Sequence, residues 1–543
     1  MVSLWGTKKD DDQGRAEDGD RRPPEDGGGD GDGQHDNPGR RSQEQPNERT
    51  RLLGPGDRAG YLSPDDPAVS PYNLWSVRAL RYLSLFFLTL SFVWWIFLLV
   101  SMFVSPPMMH PRGSGFFSFS YTTLTIGYLL ISLLFFTVPS KPMTIWGVVL
   151  SIFLAVDMFI IVGVPRIRVE EGWVGIASVV WATVIAIYNV VQNRSVAWGK
   201  REEEERLTGR EETRRSLWEW VAVFLQMTIM GVIAIVALLL TATLILRARD
   251  ASLAPPGKRY IVDGNKYQVH LACVGNITTD ENHNSSTRTP TVLLEAGEGP
   301  VEDSLQPFID DAYQKGTIDR YCYWDRPGIA WSDNAPSPHS AGMSADALSE
   351  ALALAGEKGP WVLVSAGVGG IYSRIFASRH LRDIKGIFLL DALHEDYLPK
   401  LGDDGRGFVL WFRGILSPLG LDRLAGAIFK GRTREDRVVG QSAYQNEKFI
   451  KAKLQENLVA KSMTSSEIAS ARNIQSRDTR LVVVSSGVEV RKSETWAKRQ
   501  ENLSKITDRL VAFDVVEGAP HEVWRSPEGR KVSEDRLKQL VKG

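Results

Sequence analysis

The stretch WVLVSAGVGG, residues 361–370, decides the fold of the C-terminal half of this 543-residue chain. It is a short apolar β run that ends in a glycine-rich turn, and similar runs recur from Lys258 onward, separated by segments of helical character. This alternation predicts an α/β fold, a mostly parallel sheet with helices on its faces. The Asp263-Gly264 pair predicts a hairpin between the first two strands. The other strand-bearing stretches are residues 259–275, 291–299, 321–333, 384–397, 480–490 and 510–524.

Three motifs in this half resemble those of the α/β-hydrolase superfamily. DRPGIAWSD, residues 325–333, is similar to its DRPGxGxSD turn, and LLDALHED, residues 389–396, is similar to its LVDxxHED strand end. A third group is similar to the stretch that carries the family's catalytic histidine: Trp496, Gln500, Leu503 and Ser504, then GAPH at 518–521. The resemblance covers roughly residues 258–543 and implies an α/β-hydrolase fold, with a helical cap over the pocket at about 402–477.

The chain departs from this family where the nucleophile belongs. The family's G-x-S-x-G elbow matches residues 365–369, so Gly367 occupies the position of the nucleophilic serine. Glycine tolerates the strained elbow backbone, and the fold is therefore kept. Without a nucleophile beside the base, an acyl-enzyme cannot form. Ser365 is a weak substitute, because it lies two residues before the tip.

The remaining parts of a hydrolase site persist in the sequence. The resemblance makes His521 the general base, and either Asp391, after the sixth strand, or Glu489, after the seventh, the acid that orients it. Capping or surface roles are the alternative for both carboxylates. The backbone amides of Gly297 and Val368 would form the oxyanion hole. We expect no metal and no cofactor.

Five apolar segments precede this domain, and each is long enough to cross a bilayer as a helix. Lys and Arg near their ends favour a cytoplasmic N-terminus and a lumenal or extracellular C-terminal domain. The sequons at Asn276 and Asn284 agree with that orientation and predict glycosylation. Asp157 lies inside the third span, where we expect an interhelical hydrogen bond rather than a proton relay. The segments are 83–104, 116–138, 143–164, 173–191 and 217–246.

Composition bounds the remaining features. Residues 1–72 are polar and predict a disordered tail, followed by a five-span region over 73–250 and the hydrolase-like domain over 251–543. The net charge of −1 gives no reason to expect nucleic acid as a partner.

We expect Cys273 and Cys322 to be buried free thiols, with a lumenal disulfide as the alternative. The stretch 410–421 is expected in the cap core, and lipid contact is the alternative.

Three functional hypotheses follow. The first is a multi-pass endomembrane or plasma-membrane protein whose degenerate hydrolase domain binds a small apolar or ester ligand, or a protein partner. The second is an active hydrolase that uses His521 and a carboxylate without a serine nucleophile. The third is a structural membrane scaffold whose tail recruits partners. The whole arrangement resembles integral membrane proteins of fungi that join several spans to a hydrolase-like domain.

Overall fold

The computed structural model describes residues 71–109, 111–209, 217–277, 279–280 and 287–542. Residues 1–70 of the tail predicted to be disordered lie outside the described residues, as does the sequon asparagine Asn284.

The described part of the membrane region contains five helices that are long and apolar enough to cross a bilayer. They overlap the five predicted spans, although the first begins earlier than predicted and the fourth extends beyond its predicted span at both ends, through charged residues that continue the helix. Gly172 has a φ of +59° and kinks this fourth helix near its start, a conformation that side chains with a Cβ rarely adopt. The helices are α1 (Trp75–Ser101), α2 (Phe116–Leu134), α3 (Lys141–Gly163), α4 (Pro165–Thr208) and α5 (Leu217–Asp250).

Asp157 forms the interhelical hydrogen bond that its position predicts. Its side chain is fully buried on α3, and its Oδ2 accepts a hydrogen bond of 2.8 Å from the Tyr121 hydroxyl of α2. A buried carboxyl group requires such a donor, because its desolvation is costly.

The C-terminal half is built on an eight-stranded sheet in the order β1-β2-β4-β3-β5-β6-β7-β8. The first two strands form the predicted hairpin; β2 pairs with β4 antiparallel, and all further pairs are parallel. This is the strand order of an α/β hydrolase. The strands are β1 (Lys258–Val262), β2 (Tyr267–Val274), β3 (Thr291–Glu295), β4 (Tyr321–Asp325), β5 (Trp361–Ala366), β6 (Ile384–Leu390), β7 (Arg480–Ser486) and β8 (Arg509–Val516).

Helices cover both faces of this sheet, and one buried apolar cluster lies on each face. The central strands are buried along their whole length, as expected for parallel strands covered on both sides. The helices of the domain are α6 (Gln306–Gln314), α7 (Ala341–Ala355), α8 (Gly369–Arg379), α9 (Leu398–Leu401), α10 (Asp404–Leu416), α11 (Leu421–Phe429), α12 (Arg434–Val438), α13 (Glu447–Val459), α14 (Ser465–Ile474), α15 (Gly487–Lys492), α16 (Glu494–Leu503) and α17 (Pro527–Lys542).

Cys273 and Cys322 form a disulfide, so the expectation of free thiols is wrong. The two residues are direct partners in the antiparallel β2–β4 ladder, with their Cα atoms 4.0 Å apart. Opposed residues of an antiparallel pair come close enough for a bridge. The residue spacing along the chain does not reveal this pairing.

The cap, α10 to α14, packs against the membrane bundle. Leu410, Trp411 and Ile415 of α10 join the apolar cluster formed by the ends of α1, α2 and α4. The opposite side of α10 is exposed, at Phe408, Val409, Phe412 and Leu416. Within 410–421, Phe412, Leu416 and Leu421 are exposed, and Leu410, Trp411 and Ile415 contact the membrane helices. The prediction of a cap core is wrong for these six residues, because an amphipathic helix has the same apolar pattern whatever its apolar face contacts.

Candidate active site

The elbow lies between β5 and α8, as the resemblance implies. Gly367 has a φ of +49°, in the left-handed region. A Cβ built on this residue would lie 3.4 Å from Nε2 of His521 and 3.5 Å from the Cα of Gly297. A side chain at position 367 would thus point directly at the ring nitrogen of the predicted base, and glycine leaves that space without a reacting group.

His521 is oriented by Asp391. Nδ1 of the imidazole lies 2.6 Å from Oδ2 of Asp391, whose side chain is fully buried. The other carboxylate oxygen, Oδ1, accepts hydrogen bonds from the Ser486 backbone N–H at 3.1 Å and from Trp496 Nε1 at 2.9 Å. The hydrogen bond to Asp391 raises the pKa of His521 above its usual value and outweighs the opposing effect of desolvation. The result is an imidazole held in one orientation by a fully hydrogen-bonded carboxylate.

Glu489 lies elsewhere. It occupies the first turn of α15, where its backbone N–H donates to Ser486 Oγ and its carboxylate pairs with Lys492 at 2.7 Å. Of the two carboxylates suggested by the sequence, Asp391 therefore contacts the histidine and Glu489 does not. Glu489 contributes at most a longer-range field that also raises the pKa of His521.

The loop after β3 brings Gly297 next to the elbow, as expected for an oxyanion hole. Arg326 fixes this loop by donating hydrogen bonds to the backbone oxygens of Ala296 and Gly297. Its guanidinium is buried, pairs with Glu295 at 3.1 Å and lies 4.4 Å from the ring centre of Tyr372. In a trans peptide unit the N–H points opposite to the C=O. Because Arg326 binds the carbonyls of Ala296 and Gly297, the N–H groups of the same two peptide units point away from this arginine. The DRPG motif signals this arginine, although sequence reasoning assigned it no role.

Serine hydroxyl groups near the elbow are already engaged. Ser365 is completely buried and accepts a hydrogen bond of 2.9 Å from Ser373. Ser304, which lines the pocket, donates to the Pro300 carbonyl at 2.9 Å. Neither hydroxyl occupies the elbow tip, so neither replaces the missing nucleophile.

A pocket of about 360 Å³ opens above Gly367, within the size range of small-molecule sites. Gly297 and His521 form its base, and its walls combine apolar surface with polar side chains. At the rim, Arg525 pairs with Glu522 at 2.9 Å. Burial raises the pKa of the Tyr444 phenol in the wall to about 12, so this hydroxyl is a neutral hydrogen-bond donor at physiological pH. The pocket offers several hydrogen-bonding groups to a small ligand.

Both halves of the chain are similar to known proteins. Residues 43–273 match the family model described as a region of unknown function, DUF2417. An uncharacterized vacuolar membrane protein of Saccharomyces cerevisiae is 26% identical over 61% of this chain and 59% of its own length. A hydrolase from Pseudomonas aeruginosa is 13% identical, with a TM-score of 0.38, and the alignment covers 54% of this chain and all of that one.

An uncharacterized protein of Schizosaccharomyces pombe is similar over nearly the whole chain. It is 34% identical over 534 residues, which cover 92% of this chain and 98% of the relative. The match thus includes both the membrane helices and the hydrolase-like domain. The chain belongs to the same family as this fission yeast protein, and it joins the DUF2417 region to a domain of α/β-hydrolase fold.

Proposed function

We propose that the hydrolase-like domain of this membrane protein binds a small ester- or carbonyl-bearing ligand non-covalently in the pocket above Gly367. The observation that carries the proposal is the empty elbow: the position of a Cβ at Gly367 is 3.4 Å from His521 Nε2, yet the residue offers no nucleophile. His521, Asp391 and the loop of Gly297 lie around that space, which supports the proposal.

The ligand would be held by groups that a hydrolase uses on its transition state. The amides of Gly297 and Val368 are the candidate donors to a carbonyl oxygen, and His521 supplies a further hydrogen-bonding group beside it. Because Gly367 adds no side chain, a ligand group can approach Nε2 closely. Binding without turnover follows from the missing nucleophile.

A second function, water-based hydrolysis, is favoured by the hydrogen bond between His521 and Asp391. A histidine whose Nδ1 bonds a carboxylate has its Nε2 available to accept a proton, and the space left at Gly367 is adjacent to that nitrogen. A water in this space would attack a bound ester directly, with the proton passing to Nε2 and the alcohol leaving. This route requires no covalent intermediate.

The two functions are separated by assaying the full-length protein in detergent with 4-nitrophenyl esters of short and long acids. Under the binding proposal, the wild type does not cleave the esters, members of the panel raise its Tm, and His521→Ala weakens that stabilisation. Gly367→Ser then acquires cleavage, because it restores a hydroxyl beside an oriented base. Cleavage by the wild type that disappears in His521→Ala would instead establish the water-based route.

A matched control is Glu489→Gln, which removes a nearby carboxylate that does not contact His521. It should leave both the Tm response and the cleavage pattern unchanged. If the panel neither stabilises the wild type nor is cleaved by it, and Gly367→Ser is also inert, the pocket is not the working part of the protein.

We also propose an endomembrane location with the N-terminus in the cytoplasm and the hydrolase-like domain in the lumen. The disulfide between Cys273 and Cys322, the exposed sequon residue Asn276 and the name of the vacuolar relative support this placement. Glycosidase treatment should increase the gel mobility of the wild type and leave an Asn276→Gln, Asn284→Gln double variant unchanged. No shift in the wild type would remove the support from the sequons.

The scaffold hypothesis is tested by deletion. The full-length protein, the form without the residues before Tyr72, His521→Ala and Gly367→Ser are each expressed in cells that lack the native gene. If only the shortened form fails to restore the function lost with the gene, the pocket is dispensable and the tail is the working part.

A further inference from the structure

A cavity of about 60 Å³ lies where α5 leaves the membrane bundle and meets the cap. This volume is several times the roughly 10–15 Å³ that a single water needs. Among the described residues that line it, six are cationic and two are acidic. The cationic residues are Arg166, Arg247, Arg259, Arg423, Arg437 and Lys448.

The ion pairs around this cavity leave a positive excess. Five carboxylates lie within ion-pair distance of these six cations: Glu170, Glu171, Asp250, Asp333 and Glu447. Arg259 pairs with no carboxylate of the described residues and donates instead to the backbone oxygen of Trp331. Arg259 is half-buried and its guanidinium lies 5.8 Å from the ring centre of Trp331. Solvent screens this excess charge only in part, so the charge balance favours an anion in the cavity.

Arg423 has the weakest polar contacts of the cations that are buried beside this cavity. Its side chain is 3% exposed, and its Nε has no hydrogen-bond partner among the described residues. Its ion pair with Asp250 is long, at 3.5 Å, because Asp250 is engaged more closely by Arg437 at 2.5 Å. Burial lowers the pKa of the Arg423 guanidinium below its ordinary range. A further acceptor placed against this guanidinium would relieve that cost.

A second cavity of about 200 Å³ adjoins the first through Arg423. Leu416, Leu421 and Ile450 give it apolar walls, and the first two are exposed on the cap. Arg413, Asp422 and Gln445 also line it. The neighbouring Gly420 packs against Thr243 of α5, so a partly apolar groove extends from Arg423 along the part of the cap that contacts this membrane helix.

We propose that the cationic cavity binds a phosphate group, and that the adjoining groove accepts an acyl chain when this phosphate belongs to a lipid. Guanidinium groups match phosphate oxygens with paired hydrogen bonds. Arg423 borders both spaces, at the point where the headgroup and the chain of an anionic phospholipid would meet. Free phosphate and a lipid headgroup share this chemistry, and the groove discriminates between them.

The test uses the full-length protein in a maltoside detergent, which contains no phosphate. Its Tm is measured against inorganic phosphate, dihexanoyl phosphatidic acid and dihexanoyl glycerol. We expect phosphatidic acid to stabilise the protein at a concentration at least about tenfold lower than inorganic phosphate does, because the chains add apolar contact. The glycerol lipid, which lacks phosphate, should have no effect.

Two variants test the residues. Arg423→Gln removes the unmatched guanidinium, and Arg259→Gln removes a cation without orphaning a carboxylate, so the second remains informative if the first fails to fold. Each should weaken the response to phosphate by about tenfold or more. The control Arg477→Gln changes an arginine that is 82% exposed and should respond like the wild type.

The outcomes assign the source or reject the site. Equal potency of inorganic phosphate and phosphatidic acid would identify the free ion as the ligand, and greater potency of phosphatidic acid would identify the lipid. Stabilisation by dihexanoyl glycerol equal to that by phosphatidic acid, no response to either phosphate compound, or wild-type responses in both Arg423→Gln and Arg259→Gln would overturn the proposal.

Discussion

Among the described residues of the domain, two histidines hydrogen-bond an aspartate through Nδ1, and these two pairs differ in what faces the second ring nitrogen. His270 on β2 lies 2.8 Å from Asp325, both side chains are fully buried, and its Nε2 bonds the Pro256 carbonyl. His521 lies 2.6 Å from Asp391, but its side chain is 46% exposed and its Nε2 has no hydrogen-bond partner among the described residues. In the first pair both ring nitrogens are hydrogen-bonded, whereas in the second pair His521 presents Nε2 to a pocket.

This comparison shows that a hydrogen bond to aspartate does not by itself mark a catalytic histidine. In both pairs, the aspartate raises the pKa of the imidazole above its usual value. The difference lies in access to Nε2, which the neighbouring backbone determines. The following variants test that distinction, from the largest expected effect to the smallest.

Replacing the buried histidine should cost the most stability. His270→Ala leaves Asp325 as a buried carboxylate without its partner, which typically costs about 3–5 kcal/mol. In His521→Ala, Asp391 keeps its hydrogen bonds from Ser486 and Trp496, so we expect a loss of about 1 kcal/mol or less. Thermal unfolding of the full-length variants measures both.

The loss of ligand-induced stabilisation should rank the two histidine variants in the opposite order to their loss of stability. His521→Ala should lose the Tm shift caused by the ester panel, while any folded His270→Ala protein should retain it. Equal destabilisation by the two substitutions would contradict the division into a structural and a pocket-facing pair.

Substitution of the elbow glycine tests the empty space beside His521. Gly367→Ala should cost about 1 kcal/mol, because the φ of +49° is unfavourable for any residue with a Cβ, and it should not create ester cleavage. Gly367→Ser should carry the same backbone cost and cleave esters at least about 100-fold faster than the alanine variant. Comparable cleavage rates would show that the base cannot activate a hydroxyl at this position.

The pH dependence of stability should follow the raised pKa of His521. An imidazolium favoured in the folded state stabilises the protein fully below the ordinary histidine pKa of 6.5, and this contribution disappears as the pH rises through the elevated folded value. The Tm difference between the wild type and His521→Ala should therefore be largest in mildly acidic buffer and smallest in alkaline buffer. Melting curves between pH 5.5 and 9 measure it, and a difference that grows with pH would refute the assignment.

The smallest effect is expected at Glu489. Its carboxylate is partly exposed and pairs with Lys492 within one helical turn, an interaction worth a few tenths of a kcal/mol. Glu489→Gln should change the Tm by no more than about 1 °C. Asp391→Asn provides the contrast, because it weakens the hydrogen bond to His521 and should lower that histidine's pKa in an NMR titration.

The sheet and the elbow could be predicted from the sequence because their signals are local. The apolar runs specify the strands, and the motif around Gly367 identifies the turn from residues that are adjacent in the chain. Such local signals could not decide between Asp391 and Glu489, because each of these carboxylates follows a strand. It depends on which loop turns towards His521, and Asp391 is held there with a φ of +43° by contacts from distant segments.

No local sequence pattern predicts the contacts between the membrane helices and the hydrolase-like domain. Arg247 contacts Glu171 at 2.6 Å and Glu447 at 2.6 Å, although these residues come from two membrane helices and the cap. Spacing along the chain does not encode such pairs. The same limit applies to α10, whose apolar pattern indicates a buried face without specifying whether protein or lipid covers it.

The turn DRPGIAWSD, residues 325–333, contacts both the loop beside the pocket and a membrane helix. Near its start, Arg326 holds the loop of Gly297, and at its end Asp333 bonds Arg166 of α4 at 2.5 Å. Cutting the chain between α5 and β1 to obtain a water-soluble fragment would remove Arg166, the partner of Asp333. It would also expose Lys448 of the cap, whose partner Glu170 lies on α4. Purification strategies should therefore treat the spans as part of the pocket's framework and extract the protein whole.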